Sequence, residues 1–333
     1  MARNGYTKAT GFFGIVLALV AMPAAAGSLD AALSRANGWT SWQVPIVDGA
    51  EPPCCYGNFS RKASVRTCDL DARNWSWGSS SDYPHTPGES LTIYAHVQGG
   101  KVDKLRALAT SCPVKAKGDI AAIDAAPADS VAWLARLAVA DKDEADHAVA
   151  ALAFHAEPAA TQALADAAAP GKPRDRRESA LFWLGQLRGA EGATIVERFA
   201  TRDDDPEVRE HAVFALSQSK AGDAYARILA IAGSDASDDV RSKALFWMAQ
   251  MHDSRAQADI TAALRRDPSD EVREQAVFAL SQLETGADQA LIAVIRGDYP
   301  RSAKEKALFW LGQSGSDEAI AFMDEMLAKG ERR

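Results

Sequence analysis

Residues 212–218 read AVFALSQ, and the same seven residues return at 276–282. Close variants stand between and around them: ALFWLGQ at 180–186, ALFWMAQ at 244–250 and ALFWLGQ at 307–313. The phenylalanine marks a register. It falls at Phe182, Phe214, Phe246, Phe278 and Phe309, in steps of 32, 32, 32 and 31 residues. One step earlier, AVAALAF at 148–154 fits the frame with Ala150 in the Phe place. A fixed period of this size is the signature of a stacked repeat array.

Each period has room for two helices. In DPEVREHAVFALSQ (205–218), Asp205 suits an N-cap and Pro206 the first helical turn. Ser237 before DDVR and Ser269 before DEVR are placed to cap in the same way. Val208, Ala212, Ala215 and Leu216 share one helical face. Second helices are expected at DAYARILAIA (223–232) and QADITAALRR (257–266). Helices this short need neighbours to be stable. Six units fit, at about 141–171, 174–203, 205–234, 237–266, 269–297 and 300–330. The helix ADSVAWLARLAVA (128–140) precedes them and is expected to close the open end, giving a capping region at 116–140 and a solenoid at 141–333.

VREHAVFALSQ, VRSKALFWMAQ and VREQAVFALSQ resemble the short HEAT-like repeats of the phycobilin-lyase type. Tetratricopeptide and ankyrin patterns fit less well, because the spaced W-x2-L-G-x2-Y and T-P-L-H signatures are missing. The resemblance covers roughly residues 140–330 and implies an α-solenoid. It does not imply lyase chemistry, because such repeats serve many unrelated scaffolds.

The residue after the marked Phe alternates: Ala151, Trp183, Ala215, Trp247, Ala279, Trp310. Large–small complementarity across each seam would explain it, with a Trp facing an Ala. Two further ladders run through the frame: Phe182, Phe214, Phe246, Phe278, Phe309, and Gln186, Gln218, Gln250, Gln282, Gln313. Both lie away from the Val208/Ala212 face. One reading packs them between adjacent first helices, with the amides bonded along the ladder. The other makes them an aromatic–amide strip for a partner. Arg177, Arg209, Arg241, Arg273 and Lys304 also repeat and are expected to pair with acidic groups of neighbouring units.

The N-terminus reads as a signal peptide. Arg3 and Lys8 precede the apolar run GFFGIVLALVAM (11–22), and PAAAG (23–27) offers a cleavage site after Ala26. The run is short for a membrane span, and a retained anchor is the alternative. The segment 27–115 carries all four cysteines, Cys54, Cys55, Cys68 and Cys112. In an exported chain these point to disulfides. A Cys54–Cys55 bridge would be strained, so each is expected to join Cys68 or Cys112. LTIYAHVQ (91–98), Gly99–Gly100 and KVDKLRALAT (101–110) predict a hairpin. Of Trp39, Trp42, Trp75 and Trp77, most are expected in the core of a small β-containing domain, with one or two exposed ones able to extend a binding surface.

Charge narrows the partners. The whole chain carries −8, and loss of residues 1–26 removes two basic residues, leaving −10. Such a protein is unsuited to nucleic acid, and no membrane insertion is expected once the signal is cleaved. No metalloprotease, nucleophile-elbow, phosphate-loop or dinucleotide motif occurs. SQSK at 217–220 matches S-x-x-K, but its sister copies read GQLR and SQLE, so chance explains it. His147 and His211 occupy equivalent places two units apart, too far for one metal. The expectation is an exported, periplasmic or secreted scaffold that binds a protein or peptide, with no cofactor, metal or catalytic residue. The alternative is an enzyme or enzyme-maturation factor with a site where the front domain meets the solenoid.

Overall fold

The computed structural model describes residues 28–54, 67–72, 90–141 and 143–330. The segment expected to be a signal peptide, Cys55, Trp75, Trp77 and His85 lie outside them. Among the described residues no helix is long and apolar enough to cross a membrane.

The chain opens with α1 (Ser28–Arg35), β1 (Gly38–Val44) and β2 (Cys68–Asp69). The expected hairpin follows as β3 (Leu91–Gln98) and β4 (Lys101–Ala109), joined where Gly99 and Gly100 both take positive φ, as a tight primed turn demands. Short strands β5 (Val114–Lys115) and β6 (Ile120–Ala122) complete this part. The main sheet runs β4-β3-β1-β6, with β1 antiparallel to β3 and parallel to β6, while β2 pairs with β5.

Strand alternation gives this sheet two cores. Trp42, Val44, Ile93, Ala95 and Val97 face the helical array and share one continuous core with it. Trp39, Tyr94, Leu108, Cys54, Cys68 and Cys112 form a second core on the opposite face. A Cys54–Cys112 disulfide ties that core together, consistent with the expectation for Cys54. Cys68 is disulfide-bonded as well, and its sulfur lies 3.3 Å from that of Cys112. Cys54, Cys68 and Cys112 bring three sulfurs within 4.8 Å, but as disulfide sulfurs they have no thiolate to offer a metal.

The solenoid begins with α2 (Pro127–Ala138) and continues in helix pairs: α3 (Ala145–Phe154) with α4 (Ala159–Ala167), α5 (Arg174–Leu187) with α6 (Gly189–Arg202), and α7 (Pro206–Ser217) with α8 (Ala224–Ala232). Then come α9 (Asp238–Gln250) with α10 (Ala256–Arg266), α11 (Asp270–Ser281) with α12 (Ala287–Arg296), and α13 (Arg301–Ser314) with α14 (Asp317–Gly330). The six sequence units match these pairs. Asp205, Ser237 and Ser269 cap α7, α9 and α11 by accepting backbone N–H bonds. Val208, Ala212, Ala215 and Leu216 are buried together.

First helices pack closely on first helices from α3 to α13, whereas second helices barely touch one another. The array therefore curves with the first helices inside and the second helices outside. The front sheet locks onto its leading end. Trp42 donates to Ser130 of α2 at 2.9 Å and meets Trp133 edge-on. Ile46 bridges His155, and Glu144 accepts from the Leu105 N–H at 2.8 Å.

Candidate partner-binding face

The marked phenylalanines sit on the inner helices α5, α7, α9, α11 and α13. Phe182, Phe214, Phe246 and Phe278 are half-buried, and Phe309 is 55% exposed. Phe182 stacks on Phe214 with centroids 5.8 Å apart, and Phe246 on Phe278 at 6.0 Å. The remaining seams are bridged by tryptophan: Phe154 to Trp183 at 5.2 Å, Phe214 to Trp247 at 4.8 Å, and Phe278 to Trp310 at 4.8 Å. Within a helix, Trp183, Trp247 and Trp310 each touch their own Phe at 5.0 Å. The result is an unbroken row of rings from Phe154 to Phe309.

This geometry revises the large–small reading. Each Trp reaches back to an aromatic ring of the preceding unit. Ala215 and Ala279 are fully buried. Tight approach of α5 to α7 is visible at Gly185, where an added Cβ would lie 2.2 Å from the Ala215 carbonyl oxygen. Trp247 is half-buried, and its indole N–H has no partner.

The amides do not bond along their ladder. Gln218 and Gln282 donate to Ser217 and Ser281 in their own helices, at 3.0 and 3.1 Å. The Gln186 carbonyl oxygen is buried without a partner. Gln250 is half-buried and Gln313 exposed, and among the described residues neither bonds to another amide of the ladder.

Sequence reading missed several members of this face. Phe154 occupies the Gln place of the first unit, 32 residues before Gln186, so the frame itself could have found it. Exposed carboxylates recur seven residues before four of the five markers, at Asp175, Glu207, Asp239 and Glu271, with Ser302 in that place before Phe309. Two turns of helix put them in line with the rings. Between these rows, an acid of one unit meets a base of the next: Glu178 with His211 at 3.8 Å, and Glu274 with Lys306 at 3.2 Å. Burial raises the Glu210 carboxyl, with Asp239 and Glu207 adding to the rise and Lys243 opposing it. Burial also lowers the His211 imidazole, against the pull of Glu178.

The repeated arginines are structural. Arg209 donates to the Asp203 carbonyl behind it and to the Asp235 carboxylate ahead, and Arg241 repeats this with Asp235 and Asp267. Arg177 pairs with Asp203. The acidic partners thus sit on the linkers that bound each unit. Arg273 pairs with Asp270, because Tyr299 stands where the next linker carboxylate would be. Lys304, half-buried at the last rung, makes no ion pair among the described residues.

Other candidates disperse. His147 meets Glu144 at 3.0 Å, separately from the His211 pair. Ser217 donates to the Phe214 carbonyl, and Lys220 is exposed. At the junction, a cavity of about 450 Å³ lies between α1, the β3–β4 hairpin and α2, with Trp133 and an Arg136–Asp30 pair on its wall. A cavity of about 590 Å³ between α8, α9 and α10 is lined by Asp235, Arg241 and Asp267, already bonded to one another.

A family model described as HEAT repeats matches residues 172–245 and 225–308, so the chain carries HEAT repeats over that stretch. No curated protein matches it. Among solved structures it is similar to human deoxyhypusine hydroxylase in complex with glycerol: 16% identity, 57% of this chain, 80% of that chain and a TM-score of 0.31. It is also similar to YibA of Escherichia coli: 18% identity, 61% of this chain, 81% of that chain and a TM-score of 0.37.

Proposed function

We propose that the protein is an exported, periplasmic or secreted scaffold that binds a protein or peptide along the inner face of its solenoid. One observation carries the reading. The ring row crosses every inner helix from α3 to α13 and remains partly open to solvent, flanked by amides not bonded to one another. Packing alone would be served by burying such rings, whereas partly exposed aromatics with polar flanks suit an interface. Disulfide-bonded Cys54, Cys68 and Cys112 support an oxidising compartment.

The enzyme alternative has less behind it. The junction cavity offers Lys101, the Arg136–Asp30 ion pair and a Ser34 hydroxyl that donates to the Ala31 carbonyl rather than to a base.

The test is a photoreactive side chain placed at Gln218 or Gln313 on the inner face, with Arg198 or Gln257 on the outer helices as controls. Cross-linking in extracts of the source cells should yield a discrete polypeptide adduct from the inner positions alone. Equal labelling from both faces, or no adduct from either inner position, overturns the reading.

A further inference from the structure

We propose that the occupant of the inner face is an extended, proline-rich, basic polypeptide in the polyproline-II conformation, set at three residues per repeat unit. This deepens the binding-face reading and rests on it.

The first argument is spacing. Helices packed side by side lie about 8–10 Å apart. Three residues of polyproline II advance about 9 Å and complete one turn, so every third side chain returns to the same side. A β-strand advances similarly over three residues, but its side chains alternate, and every second contact would point away. An array that presents one ring cluster per inner helix matches the first geometry.

The second argument is hydrogen bonding. A polyproline-II backbone has no internal hydrogen bonds, and its carbonyls need outside donors. Gln186, Gln218, Gln250, Gln282 and Gln313 stand one turn beyond the rings. Gln218 and Gln282 bond only within their own helices, to serines that neighbour them in sequence. Each amide can turn to a ligand carbonyl with little disturbance.

The third argument is charge. Asp175, Glu207, Asp239 and Glu271 form an exposed row on the other side of the rings. Arg174 neutralises Glu207, whereas Asp239 and Glu271 make no ion pair among the described residues. The row attracts Lys or Arg side chains of a ligand and repels an anionic polysaccharide. Phe182 and Phe246 each touch two other rings, so the strip offers slots rather than the free faces on which a neutral sugar would lie.

The experiment uses the full chain and a fluorescent peptide of repeated Pro-Pro-Arg, roughly fifteen residues long to span five rungs. Comparators are Gly-Ser-Arg repeats of equal charge and Pro-Pro-Glu repeats of equal conformation. Anisotropy should show the first bound at least about tenfold more tightly than either comparator. Gln218→Ala and Gln250→Ala should each weaken it by about fivefold, the worth of one neutral hydrogen bond. Equal binding of the Gly-Ser-Arg peptide, indifference to both Gln substitutions, or displacement by a neutral oligosaccharide overturns the proposal. So does failure to bind any of the peptides. The inner-face cross-linking described above then separates the two claims: an adduct from Gln218 leaves the binding face standing and removes only this occupant.

Discussion

Arg241 and Asp267 meet through two parallel hydrogen bonds, 2.8 and 3.0 Å long, across the span of one repeat unit. The same guanidinium donates to the Asp235 carbonyl on the preceding linker. Both partner side chains are more than nine-tenths buried. Burial alone would raise the Asp267 carboxyl, but the bonds from Arg241 and the Ser269 N–H outweigh it and hold it below the usual carboxylate range.

Removal of Arg241 leaves that carboxylate buried beside an unsatisfied linker. Arg241→Ala is expected to cost about 3–5 kcal/mol. Arg273→Ala should cost less, because Arg273 pairs with the exposed Asp270. Urea melts of the two variants measure the gap, and equal losses would refute the linker-clamp role. The Asp267 contribution is complete above the ordinary carboxylate range and is lost as pH falls below it.

Gly185 and Gly312 occupy the same place in the two identical ALFWLGQ strings, yet their surroundings differ. A Cβ at Gly185 would collide with the Ala215 carbonyl at 2.2 Å, so Gly185→Ala must push α5 from α7. A Cβ at Gly312 meets only the mobile end of Met323, at 3.2 Å. Helix propensity favours Ala over Gly by about 1 kcal/mol at either site. Gly312→Ala should therefore raise the melting temperature, whereas Gly185→Ala should lower it by the equivalent of about 1–3 kcal/mol. Two shifts of the same sign would contradict the close approach of these helices.

These sites show what a sequence can and cannot display. The period, the caps at Asp205, Ser237 and Ser269, and the Gly99–Gly100 turn are local properties, written in neighbouring residues. The partner of Trp247 is not local, because the direction of an indole depends on how far the next helix stands off. Such distances hang on single small residues, as at the α5–α7 seam, where the missing Cβ of Gly185 lets the Ala215 carbonyl approach. The Phe and Gln ladders were legible as ladders, but which face they occupy emerged only once the first helices proved to be the inner ones. The place of Phe154 in the ring row was in principle legible from the frame, hidden by the change of residue type.

Trp247 crosses one seam of the ring row to Phe214 and packs on Phe246 of its own helix while remaining half-buried. Full burial would set the cost of Trp247→Ala at about 3–5 kcal/mol. Partial exposure and an unpartnered indole N–H reduce it to roughly 1–3 kcal/mol. Trp247→Phe should recover most of that, since the contact with Phe214 needs a ring rather than the N–H. Thermal melts of the two variants decide the point, and a Phe variant no better than Ala would show that ring contact is not what Trp247 supplies.

His155 gives the junction a dependence on pH. It is fully buried where the Ile46 bridge meets the end of α3. Its Nδ1 accepts from the Glu157 N–H, and its Nε2 has no partner. Burial, reinforced by the nearby Arg188 charge, lowers its pKa to about 4. Arg188 is itself lowered to about 10, chiefly by burial, with Glu191 opposing. In the unfolded chain the imidazole titrates near 6.5. Between these values the unfolded state binds the extra proton, so stability is complete above about 6.5 and falls as pH drops towards about 4. The loss is on the order of 3 kcal/mol. Denaturation of the wild-type chain across this range should show the slope, and His155→Asn should flatten it whatever its own baseline stability. An equally steep slope in the variant would assign the titration to another group.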